Sequence, residues 1–191
     1  MSEHGFHVHG PHDHELEHAA KHDPEGMAGQ LAVMTAILAT IGALFSYQGG
    51  ATQANAALLK NDAAIKKTEA SNQWNYFQAK STKQSLAELA RDLAPDDKKA
   101  GYQAKVDRYE KEKNEINVVA KQLEADSTAL DVASEAQMHQ HHRWAQATTA
   151  LQISIAMAAI ALLTKRRWLE WGTLGVGGLG VVVGAFAWFH L

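Results

Sequence analysis

Seven of the eleven histidines fall within the first 23 of 191 residues: His4, His7, His9, His12, His14, His18 and His22. Neutral imidazole is a common ligand for zinc, nickel and copper. His7-Val8-His9 and His12-Asp13-His14 can chelate from an extended chain. If a short helix starts at Asp13, which suits an N-cap, then His14, His18 and His22 share one face. Asp13, Glu15 and Glu17 add oxygen ligands. A divalent transition metal (Zn, Ni or Cu) is therefore the one cofactor the sequence suggests. The competing reading is a solvated segment whose imidazoles titrate near neutral pH.

His139 and His142 form a second candidate metal pair, three residues apart on a helix face. Tyr47 and Gln48 lie at the matching point on the other side of a hairpin, so a small polar site can form there. The alternative is an interfacial cluster beside lipid headgroups. Trp74, Tyr76 and Phe77 are the next group, and packing between helices or subunits suits them better than stacking on a ligand.

Catalysis finds little support. There is no Cys, which removes thiol chemistry and cysteine-ligated zinc. No glycine-rich phosphate loop, nucleophile elbow or zinc-protease helix occurs. We expect no enzyme. A net charge of −3 gives no reason to expect a nucleic-acid partner.

The elements that carry these residues follow from the charge pattern. No Asp, Glu, Lys or Arg occurs in 26–59, 144–164 or 171–191. A bilayer core requires ~20 apolar residues of a helix. The pattern predicts three transmembrane helices over 27–47, 145–164 and 169–190, behind a His-rich segment over 1–25. That segment lacks the basic start of a signal peptide, so the first span is expected to be retained. Asp23-Pro24-Glu25 reads as a helix start, and Gly49-Gly50 as a place where the helix bends or loosens on leaving the membrane.

Between spans one and two, 48–143 is polar and broken only near 93–97, where Pro95 cannot continue a helix. The two arms are of equal length, which predicts an antiparallel helical hairpin. Leu58, Ile65, Asn72, Ala79, Leu86 and Leu93 recur every seven residues in the first arm, with Asn61, Thr68, Asn75, Thr82 and Leu89 between. In the return arm the series are Tyr102, Tyr109, Ile116, Leu123, Leu130 and Val106, Lys113, Ala120, Ser127, Ser134. Such repeats indicate coiled-coil packing. The seam is half polar, so further partners are expected, most simply other copies of the chain.

Within the spans, Ala28, Ala32 and Ala36 form a small-residue stripe, and Gly180 and Gly184 a GxxxG spacing; both suit close helix contact. Trp144, Trp168, Trp171 and Trp188 are expected at the membrane interfaces. Lys165-Arg166-Arg167 is the dense short basic loop, and it predicts a cytoplasmic N-terminus with the hairpin outside. The hairpin does not vote, holding 14 basic and 14 acidic residues between Ala51 and Arg143. Thr148, Thr149 and Gln152 give the second span a polar face that can line a pore or bond between helices.

The His-rich start, Gln73 through Lys80, Tyr109-Glu110-Lys111-Glu112, and Leu151-Gln152-Ile153 through Lys165-Arg166-Arg167-Trp168 together resemble a bacterial domain-of-unknown-function family of small three-span membrane proteins. The resemblance implies the same span order and a bacterial membrane location, and it brings no activity.

The expectation is an all-α, multi-pass protein of the bacterial inner membrane, with a long coiled-coil-like hairpin between spans 1 and 2. It self-associates as a scaffold or accessory subunit, with the lipid bilayer and other membrane proteins as further partners. Metal handling through the His-rich segment, or a homo-oligomeric channel lined by the second span, are the alternatives.

Overall fold

The computed structural model describes residues 26–189. The His4–His22 series lies outside these residues, as does His190 at the end of the expected third span. Among the described residues there are three helices and no strand: α1 (Met27–Leu93), α2 (Asp96–Thr164) and α3 (Arg167–Trp188). All three contain stretches long and apolar enough to cross a membrane.

The long helices have local causes. α1 contains no Pro and is rich in Ala, Leu, Lys and Gln, all strong helix formers. Pro95 lies in the break, Ala94 N–H donates to Arg91 O, and Asp96 and Asp97 place acidic groups at the positive end of α2. Each apolar span and its neighbouring arm form one helix rather than two. Gly49-Gly50 does not interrupt α1, because Gly49 is held against α2 by the contacts described below. Between α2 and α3, Lys165 takes a left-handed backbone (φ 53°) and Arg166 an extended one. Two residues therefore suffice to re-aim the chain.

The described residues form two compact units. The first combines the start of α1 up to Gln53 with Met138 onward, including all of α3. Its core is Leu31, Ala158 and Ala161, with Met27, Met34, Leu162 and Leu169 packed around them. α3 turns Thr173, Gly177, Gly180, Gly184 and Ala187 inward. The glycines set how closely it can approach. A methyl on Gly180 would lie 3.0 Å from Leu151 Cδ2, and one on Gly177 2.9 Å from Ser154 Oγ. A methyl on Gly184 would overlap the Phe45 ring. Ser154 Oγ donates to Thr173 O at 2.7 Å, satisfying a hydroxyl that would otherwise be orphaned in an apolar setting.

The second unit is Ala54–Gln137. Here α1 buries Ala56, Ala63 and Ala70 at seven-residue spacing, with Ala87 beyond. α2 buries Val106, Ala120, Ser127 and Ser134 on the same period. Contacts run in opposite directions along the two helices. Ala56 meets Ser134, Ala63 meets Ser127, Lys80 meets Glu112 and Arg91 meets Gln103.

This seam differs from the sequence expectation in one half. The return-arm series is buried or half-buried. On α1 the expected seam points outward: Leu58 is 64% exposed and Leu86 61%. The face that meets α2 is shifted by two residues, onto alanines. The reason is distance. Ser127 Oγ donates to Ala63 O and Ser134 Oγ to Ala56 O, both at 2.8 Å. A side-chain hydroxyl can reach a carbonyl of the neighbouring helix only where the backbones approach closely. Leucines would hold them apart.

Candidate functional site

The residues that shape local chemistry lie along these close contacts. In the second unit one flank of the alanine seam opens into a groove of ≈ 990 Å³. Lys60, Lys67 and Trp74 wall it from α1, and Glu124, Thr128 and Asp131 from α2, over a floor that includes Ala63, Ala70 and Ser127. Trp74 Nε1 donates to Glu124 Oε1 at 2.8 Å, and Lys60 pairs with Asp131. That carboxylate, by hydrogen bond and charge, pushes the Lys60 pKa above 10.5.

Further along, Trp74 meets Phe77 edge-on at 5.6 Å, and Lys113 lies 5.6 Å over the Phe77 ring. Tyr109 carries Lys80 and Arg108 at 5.8 and 4.9 Å. The Lys80 ammonium, 2.5 Å from Glu112 Oε2, holds the Glu112 carboxyl below its usual 4.5. Gln84, then Lys113, act likewise on Glu110. These aromatic and charged groups pack against one another across the two helices and leave Tyr76 outward, 61% exposed.

In the first unit the densest polar contact centres on His141. Its Nδ1 lies 2.8 Å from Gly49 O. To bond a carbonyl, Nδ1 must carry the proton, which leaves Nε2 as an acceptor when the ring is neutral. Gly49 is closely approached, since a methyl there would sit 3.3 Å from Trp144 Cβ, a tight contact. Trp144 stacks at 5.2 Å on Phe45 and at 6.3 Å, edge-on, on Trp188. Gln140 Nε2 donates to Ala187 O at 2.7 Å.

Against this geometry the expected residues are placed as follows. His139 and His142 are both exposed, and His141, between them in sequence, makes the close contact. Among the described residues no group of three His, Asp or Glu is set to hold a metal ion. Trp144 is buried, 3% exposed, and packs on Phe45 and Trp188. Trp168, Trp171 and Trp188 are exposed. Gly180 and Gly184 face Leu151 and Phe45 of the same chain. Ala28 and Ala32 are half-buried and Ala36 is exposed; the buried face of the first span is instead Leu31, Thr35 and Leu38. Lys165, Arg166 and Arg167 are exposed. Thr149 and Gln152 are exposed, and Thr149 Oγ1 bonds its own helix at Ala145 O.

Sequence reasoning named Ser127 and Ser134 but passed over their partners Ala63 and Ala56 on α1, and the contact of Gly49 with His141. A signal for these contacts exists, because small residues recur every seventh position on one side and hydroxyl or imidazole groups every seventh on the other.

Residues 27–190 match the family model described as Domain of unknown function (DUF4337), and the chain belongs to that family. No curated protein and no solved structure matches it.

Proposed function

We infer that this family member is a multi-pass membrane protein with a structural role: a homo-oligomeric scaffold or accessory subunit whose long helical pair is its association module. The observation that carries the reading is the uncovered apolar stripe of α1. Leu58, Ile65, Leu86 and Leu93 fall on one heptad series, interrupted by Asn72 and Ala79, and stay 48–78% exposed, with Leu89 beside the last pair. α2 leaves Val118 and Val132 exposed two heptads apart. Apolar residues at heptad spacing mark a helix-packing face, and here the chain's own partner helix occupies a different one. Uncovered apolar stripes of this kind favour a further protein contact. The bacterial inner membrane belongs to the same proposal through the family resemblance, and a cytoplasmic N-terminus with an outward antiparallel hairpin through the Lys165-Arg166-Arg167 loop.

The test is mass measurement of the full chain in nanodiscs. The wild-type chain is expected to be a discrete oligomer whose mass L58S/I65S/L86S lowers. A monomeric wild type would remove the reading.

A channel is the second reading. It is favoured by the outward placement of Gln146, Thr149 and Gln152 on the apolar part of α2, where a polar side chain gains from a partner. Ion flux into liposomes tests it, and an impermeable oligomer counts against it. Metal handling by residues 1–25 rests on the histidine composition. Zinc titration of the full chain against a chain starting at Gly26 decides it, and equal binding by both would rule the segment out.

A further inference from the structure

The groove beside the alanine seam is one-sided in charge. Its α1 wall carries Lys60 and Lys67, and its α2 wall Glu124 and Asp131. Lys60 bridges to Asp131 within the chain. Lys67 and Glu124 stand one heptad further along each helix with the same offset, yet they do not pair with each other. Glu124 instead accepts the Trp74 indole N–H, and among the described residues no carboxylate bridges Lys67.

We propose that this groove is the docking face for a second copy of the chain, with Lys67 of each copy paired to Glu124 of the other. The proposal deepens the homo-oligomer reading and rests on it. Charge selects the occupant and its orientation. A twofold axis parallel to the helices lays the basic α1 wall of each copy over the acidic α2 wall of the other, and keeps both Pro95 turns at the same end. A twofold axis across the helices would lay lysine over lysine, and like charges brought together at an interface are strongly unfavourable. Small groups on the floor, Ala63, Ala70 and Ser127, allow close approach. The groove face is separate from the leucine stripe, because Lys60 and Lys67 follow Leu58 and Ile65 by two residues, about 200° around a helix.

The contact is isologous, which gives a decisive experiment. K67E and E124K are made in the full chain in nanodiscs, and self-association is measured for each alone, for the two singles mixed, and for K67E/E124K in one chain. Each single variant is expected to associate at least ~10-fold more weakly. The mixture is expected to recover, since a K67E copy against an E124K copy restores one pair and keeps the other. Recovery only when both changes are in one chain would show an intrachain pair and overturn the proposal. Unchanged association of the single variants in a still-oligomeric wild type would overturn the proposal and leave the scaffold reading standing; a monomeric wild type would overturn both. The chain has no Cys, so K67C and E124C copies provide a second measurement. A crosslink by a short bismaleimide, which spans the length of a Lys–Glu pair, is expected in the mixture, and its absence counts against the contact.

Discussion

Ala63→Leu and Leu58→Ser ask opposite things of the helix pair. Ala63 is 5% exposed and its carbonyl receives the Ser127 hydroxyl at 2.8 Å. Three added carbons have no space there, and overpacking of this kind costs about 1–3 kcal/mol. The displaced Ser127 bond adds ~1 kcal/mol. The sum is about 2–4 kcal/mol, or roughly 30- to 1,000-fold at ~1.4 kcal/mol per tenfold. Leu58 is 64% exposed, so about a third of its burial is at stake, ~0.5–1 kcal/mol. Amide hydrogen exchange over 54–137, with one full chain per nanodisc so that the oligomer contact proposed for Leu58 is absent, reads both. A63L should speed exchange at the seam by the larger factor and L58S by only a few-fold. If L58S opens the pair as much as A63L, or if A63L is silent, the alanine face is not the seam and the close-approach argument fails.

Gly184→Ala places a methyl where the Phe45 ring lies, so thermal unfolding in detergent should show a loss of about 1–3 kcal/mol, relieved by adding Phe45→Ala. Ser154→Ala removes the bond to Thr173 O and should cost up to ~1.7 kcal/mol in the same assay. The pH response of the second unit has two limbs. Glu112 is held below 4.5 when folded, so its contribution is present above pH 4.5 and is lost as pH falls through the lower folded value. Lys60 is raised above 10.5, so its contribution is present below pH 10.5 and is lost as pH rises through the folded value. Stability measured from pH 3 to 12 should be flat between the limbs, and E110Q/E112Q should flatten the acid one.

Charge-free runs and the position of Pro95 made the three apolar helices and the break legible, because both are sequence-local. The return-arm seam was legible for the same reason: Val106, Ala120, Ser127 and Ser134 repeat every seven residues. The α1 face was misread because hydrophobic patterning weights large side chains. Leu58 and Ile65 outweigh Ala56 and Ala63 by volume, although backbone proximity decides the contact. Gly49-Gly50 reads in sequence as a place where the helix bends or loosens, and the contacts of His141 and Trp144 against Gly49 are not legible there. The burial of Trp144 was not legible, because composition does not reveal which aromatic finds Phe45 and Trp188.

Hydroxyl-on-carbonyl contacts at Ala63 and Ala56 also restrict how this pair of helices can change in length over evolution. Each contact needs a small residue and a serine in the same layer, and layers recur once per heptad on both helices. Inserting or deleting residues in one helix alone would strand the serines on bulky or solvent-facing neighbours. A change of one heptad in α1, matched by one in α2, would keep every remaining layer intact. Relatives should therefore differ between positions 54 and 137 in steps of two heptads, placed symmetrically about the Pro95 turn. A single-helix insertion of any other size would have to be absorbed as a local bulge.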